Sequence, residues 1–152
     1  MKHRIFALLI MCILLFTGCS SKAEQVIAFQ NELNSVITKM ENIHKELESL
    51  DVTNKDASGQ ALEALSSLKD AFEELVAIEV KDEQFAFIND LAIEGSQYME
   101  QAYKFFEEAY TFDHFDRETA DLAYQYLERA TKRINVIITM LHGEVPEGVV
   151  VH

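Results

Sequence analysis

Apolar residues recur along most of this chain at alternating steps of three and four. Val26, Phe29, Leu33, Val36, Met40, Ile43, Leu47 and Leu50 keep that spacing without a break, the a/d seam by which one helix packs on another. The stretch Asp51 to Gly59 (DVTNKDASG) is rich in turn and capping residues and reads as a connection. The alternation resumes at Ala61, Leu65, Leu68, Phe72 and Leu75, widened by Leu62, Val76 and Ile78. Asp82 then stands where a helix N-cap is wanted, its carboxylate free to accept a backbone N–H. The third seam is Phe85, Ile88, Ala92, Gly95, Met99, Ala102, Phe106 and Ala109, flanked by Leu91, Tyr98, Phe105 and Phe112. A stripe that wide suits a globular bundle better than a two-stranded coiled coil. After the turn Asp113-His114-Phe115-Asp116, with Asp116 as a second cap, the last seam runs Ala120, Ala123, Leu127, Ala130, Ile134, Ile137 and Leu141. Gly143 and Pro146 follow as stop signals.

The pattern predicts helices over about 23–50, 57–79, 83–113 and 117–142, forming one unit at 23–143 with a tail at 144–152. Short connections between helices of similar length make this an all-α fold, an antiparallel up-down four-helix bundle. A three-helix variant with the first helix extended away is the alternative.

The first residues follow a different rule. Lys2, His3 and Arg4 make a basic start, and Ile5 to Phe16 is an uncharged run too short to span a bilayer as a helix, which needs roughly 20 residues. The run ends in Phe16-Thr17-Gly18-Cys19. This resembles the lipobox of bacterial lipoproteins, with Phe16 where Leu is commoner. The resemblance implies a signal peptide at 1–18 removed before Cys19, a diacylglyceryl group on the Cys19 thiol, and a lipidated tether at 19–22. An ordinary secretory signal or an uncleaved anchor are the other readings; the order of basic start, apolar run, small residues and cysteine favours the lipobox. Two acyl chains would hold the protein stably, since each buried CH₂ contributes roughly 0.8 kcal/mol. The whole resembles small helical-bundle lipoproteins of Gram-positive-type bacteria, which implies a location on the extracytoplasmic face of the cell membrane and brings no activity with it.

Cysteine use agrees. Cys12 leaves with the signal and Cys19 is the only other, so residues 19–152 contain no pair for a disulfide and no Cys set for a metal. Charge sharpens as well. The full chain carries 13 basic and 26 acidic side chains; residues 1–18 hold Lys2 and Arg4 and no acid, which leaves 11 against 26 and a net of −15. Such a surface does not neutralise phosphates, so no nucleic-acid partner is expected. It should also stand off anionic headgroups instead of lying on them.

Few groups point to chemistry. Glu41 and His44 have the Glu-x-x-His spacing of di-iron bundles, but those sites need two such motifs and two more Glu facing inward, and here both residues fall off the seam. Asp113, His114 and Asp116 offer oxygen and nitrogen to a cation, yet read more simply as a turn and a cap. His44, His114, His142 and His152 occupy no seam position, so a buried haem is not expected. Asp82-Glu83, Glu73-Glu74 and Glu107-Glu108 are acidic pairs on solvated faces, with no arrangement of facing carboxylates. There is no G-x-S-x-G, no phosphate-cradling loop and no H-E-x-x-H. The sequence therefore predicts no enzyme, no metal and no cofactor.

The most uneven feature is aromatic. Of 13 Phe and Tyr after residue 18, nine lie between 98 and 126. Phe105, Phe106 and Phe112 are read as core, filling space opposite Ala120 and Ala123. Tyr103, Tyr110 and Tyr124 fall on seam flanks, where an apolar body with a polar tip suits an interface. They are the candidate interaction surface, for an unknown envelope protein. Arg129, Lys132 and Arg133 form the densest basic cluster, read as structural, with Glu128 and Lys132 an i,i+4 pair and the Arg133 stem covering apolar surface. The expected function is a lipid-anchored binding or accessory protein, with a small-ligand or metal-binding lipoprotein as the alternative.

Overall fold

The computed structural model describes the backbone of residues 2–51, 53, 55–111 and 115–141, with side chains from Lys22 onward apart from those of Gln84 and Thr111. Four helices account for almost all of it: α1 (Lys2–Glu48), α2 (Ala57–Ala77), α3 (Ala86–Thr111) and α4 (Arg117–Leu141), with one 3-10 turn at Glu83–Phe85. Among the described residues there is no strand.

Each helix packs on the next along the chain, α1 on α2, α2 on α3 and α3 on α4, the last pairing being the most extensive. Partner numbers run in opposite directions where α1 meets α2 and its exit and where α3 meets α4. Lys22 meets Asp82 while Lys39 meets Glu74, and Glu94 meets Arg133 while Tyr110 meets Phe115. The fold is the antiparallel up-down four-helix bundle. The three-helix variant does not form, because Phe29, Leu33, Ile37, Met40 and Ile43 of α1 lie buried in the same core as the other helices. A free α1 would leave that stripe in water, at a cost of about 25 cal/mol for each Å² of apolar surface.

Most seam residues read from the sequence are buried, while Val26, Val36, Leu47, Leu50, Ala61, Phe85, Leu127 and Leu141 are half-buried. Ile88, Ala92, Met99, Ala102, Phe106 and Ala109 of α3 are buried, as are Ala120, Ala123, Ala130, Ile134 and Ile137 of α4. Ile37, Ala64 and Ala71 are buried too, although the strict a/d alternation skips them. In a globular bundle each helix faces more than one neighbour, so the apolar stripe is wider than a coiled-coil seam.

Helix ends differ from expectation in three places. α1 does not start at 23: it runs unbroken through 19–22, the segment read as a tether, since no proline interrupts it. α2 stops at Ala77, where Ile78 turns extended (φ −66°, ψ 121°). α3 is entered through the 3-10 turn, with the Phe85 N–H donating to the Asp82 carbonyl at 2.9 Å. Asp116 caps α4 as expected: its Oδ1 accepts from the Glu118 N–H at 3.0 Å, and its Oδ2 from the Thr119 hydroxyl at 2.8 Å. The tail from His142, with Gly143 and Pro146, and residues 112–114 lie outside the described residues.

One position fixes how closely the helices approach. A methyl group at Gly95 would lie 2.9 Å from Phe72 Cε1, 3.3 Å from Phe72 Cδ1 and 3.4 Å from Arg133 Cβ. The Phe72 ring, itself 2% exposed, has nowhere to retreat. At Gly59 the near atom is instead Asp56 Oδ1, at 2.8 Å, the far end of an exposed side chain. Gly95→Ala is therefore expected to lose about 1 kcal/mol of stability, overpacking of about 1–3 kcal/mol outweighing a helix-propensity gain of about 1. Gly59→Ala is expected to gain up to about 1 kcal/mol. Chemical denaturation of the two variants checks both signs.

Candidate functional site

The α3–α4 seam sorts its aromatic residues by size and position. Ala102, Ala109, Ala123 and Ala130 are all fully buried, so the two backbones meet where there is little side chain between them. Of the large rings of α3 and α4 among the described residues, only Phe106 is fully buried, 1% exposed. The others are pushed to the two flanks and to the α3–α4 turn.

At the turn, Phe106 is the buried base of a cluster. The Tyr124 ring meets it edge-on at 4.9 Å and the Tyr110 ring lies stacked at 6.3 Å. Phe115 continues the group, 5.4 Å from Tyr110. Phe115 and Tyr124 are each 56% exposed, while Tyr110 is half-buried. The Tyr124 phenol is a close electrostatic neighbour of the Tyr110 phenol. Of the three tyrosines read from the sequence as a surface, the fold brings these two together. Tyr103, two turns earlier on α3, is half-buried against the core and takes no part in the ring cluster. Phe115 replaces it. The sequence carried a signal for Phe115, an apolar residue in an otherwise polar turn.

The opposite flank is closed. Tyr126 lies between Tyr98, at 6.4 Å, and Phe105, stacked at 5.5 Å. Arg129 covers both tyrosines, its guanidinium 5.3 Å from the Tyr126 ring centre and 5.9 Å from that of Tyr98. Arg133 covers Tyr98 from 5.5 Å and pairs with Glu94, Nε to Oε2 at 2.6 Å. The expected use of Arg133, stem over apolar surface and head on an acid, is what the structure shows. Glu128 and Lys132 pair at 2.8 Å, which holds the Glu128 carboxyl below its ordinary value. Phe105, read as core, is half-buried on this flank.

Elsewhere, Glu41 and His44 are both exposed, His44 lying 3.4 Å from Glu48. Asp113 and His114 lie outside the described residues. Among the described residues no polar side chain is buried and no three metal-ligating side chains cluster. A cleft of about 310 Å³ opens between the Lys22 end of α1 and the α2–α3 connection. Its floor is the stacked pair Phe29 and Phe85, at 5.0 Å, and the Lys22–Asp82 pair, at 3.3 Å, lies on its rim. Among the described residues no helix is long and apolar enough to cross a membrane.

Burial, followed by the neighbouring Tyr124 hydroxyl, pushes the Tyr110 phenol above its ordinary value of 10.0. The raised value means that Tyr110 favours the folded state fully below the unfolded-chain pKa, and that this contribution is lost as pH rises through the folded one. An ultraviolet titration should find one phenol ionising late, and Tyr124→Phe should move it down while leaving it above the ordinary value, because burial remains. No protein-family model, curated protein or solved structure matches the chain.

Proposed function

We propose that this protein is a lipid-anchored lipoprotein on the extracytoplasmic face of the cell membrane, held through Cys19 and acting by binding another envelope protein. The observation that carries the reading is the exposed Phe115–Tyr124 cluster and its place in the bundle. Lys22, just beyond Cys19, sits beside Asp82 in the α2–α3 connection, so the α3–α4 turn is at the opposite end. From Lys22 to Glu48 the helix rises about 40 Å at 1.5 Å per residue. An anchor at one end and exposed rings at the other suit a protein that presents a surface away from the bilayer.

The cleft at the anchored end speaks for the small-ligand alternative, but less strongly. Its volume is at the lower limit of ligand pockets, roughly 300 Å³, and Lys22 and Lys81 already pair with Asp82 and Glu79, at 3.3 Å each. A ligand would have to break those pairs. The described residues also supply no buried acid or base for catalysis.

Cys19→Ala should move the protein out of the membrane fraction or leave it uncleaved and unlabelled by fatty acid; unchanged lipid labelling would sink the anchoring. For the binding role, wild type and a Tyr110→Ala/Phe115→Ala/Tyr124→Ala variant should recover different proteins from detergent-solubilised membranes. Identical recovery would remove the surface.

A further inference from the structure

The two flanks of the α3–α4 pair carry similar rings in opposite electrostatic settings. On the Tyr98–Tyr126 flank, the ring faces are already occupied by the guanidinium groups of Arg129 and Arg133. At the turn, Phe115 and Tyr124 are each 56% exposed, and several of the residues beside them are acids. On a helix the neighbours of a residue are three and four positions away. For Tyr124 these include Asp121 and Glu128, and for Tyr110 they include Glu107; all three are exposed. The Glu128 pair with Lys132, at 2.8 Å, is itself a surface pair with side chains 64% and 65% exposed, of a kind that contributes little. Among the described residues between 103 and 128 there are six acidic side chains against Lys104 and Arg117 alone. Arg117 is 86% exposed and reaches Asp121 only at 4.0 Å, a contact worth little in water.

An aromatic face is the negative pole of its quadrupole and attracts ammonium or guanidinium groups. Carboxylates beside it attract the same groups. The closed flank shows this chemistry satisfied within the chain, because Arg129 does for Tyr98 and Tyr126 what nothing in the described structure does for Phe115 and Tyr124. We propose that the Phe115–Tyr124 end is a docking site for a basic polypeptide segment, whose Lys or Arg side chains stack on the two exposed rings and pair with the bordering carboxylates. The occupant is a partner protein with an arginine- or lysine-bearing surface, which also agrees in sign with the net charge of −15 beyond residue 18. Opposite net charges speed encounter and make it salt-dependent. The proposal names the partner chemistry of the surface proposed above and is independent of anchoring at Cys19.

The test uses the full chain in a non-ionic detergent and a short oligo-arginine peptide, with an oligo-glutamate peptide as control, followed by calorimetry and by nuclear magnetic resonance of the ring protons. The expected result is saturable binding of the arginine peptide that weakens as salt rises, no binding of the glutamate peptide, and shifts at Phe115 and Tyr124. Phe115→Ala/Tyr124→Ala leaves net charge unchanged, so any loss reports the rings and not the acids; the expected loss is about tenfold for two exposed cation–ring contacts. Phe115→Leu/Tyr124→Leu keeps apolar bulk without a ring face, guards against a simple loss of packing, and should show the same loss. Equal affinity in wild type and both variants, wild-type affinity in the leucine variant, or ring shifts confined to Tyr98 and Tyr126 would overturn the proposal. Those outcomes leave the binding-surface reading standing, since that reading fails only when the alanine variant recovers an unchanged set of proteins from membranes.

Discussion

Everything distinctive about this bundle depends on the close approach of α3 and α4 across a seam of small residues. Gly95, Ala102 and Ala109 on one side and Ala120, Ala123 and Ala130 on the other are buried. Interaxial distance is set by the side chains at the contact, so a seam of methyl groups lets two backbones approach closely. Such a seam has room for few large groups. Met99, Phe106 and Ile137 fill the gaps left between the alanines, each at most 1% exposed, and this alternation of large and small is what dense packing requires. Gly95 shows how little slack remains, since even a methyl group there would meet the Phe72 ring of α2.

The aromatic residues follow from that constraint. Rings that cannot enter the seam line its two edges, where they are half-covered by definition. At one edge the chain covers them itself: Arg129 and Arg133 lie over Tyr98 and Tyr126, and Glu94 fixes Arg133. These pairs contribute modestly to stability, about 0.5–1 kcal/mol for an exposed cation–ring contact and up to about 1 for an exposed ion pair. Their larger effect is to remove the rings from the surface. At the turn the corresponding cover is lacking among the described residues, and two rings remain more than half exposed. Single exposed apolar residues are ordinary. Two in one cluster with a half-buried tyrosine and a buried phenylalanine beneath them form a supported platform, which is the property a docking surface needs.

Much of this was legible in the chain. Helical period, seam residues, the Asp116 cap and the pairing of Glu128 with Lys132 follow from local rules, because each depends on residues within one or two turns of each other. What was not legible depends on two helices at once. Tyr103 and Tyr110 hold equivalent positions a heptad apart on α3, and nothing along that helix distinguishes them. They separate only because α4 brings Tyr124 and the turn brings Phe115 against the second and not the first. Likewise Arg129 reads as one member of a basic cluster until α3 supplies Tyr98. The start of α1 escaped for another reason: a motif that resembles a cleavage signal carries no helix stop, and no proline interrupts the run from Lys2 to Glu48.

That last point changes what the acidity means. A flexible tether would let a strongly acidic domain swing and expose any face to the headgroups. A helix continuing from residue 19 into the packed part of α1 removes that freedom, since α1 can tilt only together with the bundle it is packed into. Were the protein anchored at Cys19 as proposed, repulsion between the acidic surface and an anionic bilayer would act on a rigid rod attached at one end and push it upright. The end of the bundle opposite Lys22 is the α3–α4 turn. If Cys19 is lipidated, the constraint that the seam imposes on the aromatic residues and the constraint that charge imposes on orientation therefore work on the same end of the molecule, one leaving its rings uncovered and the other holding them clear of the membrane.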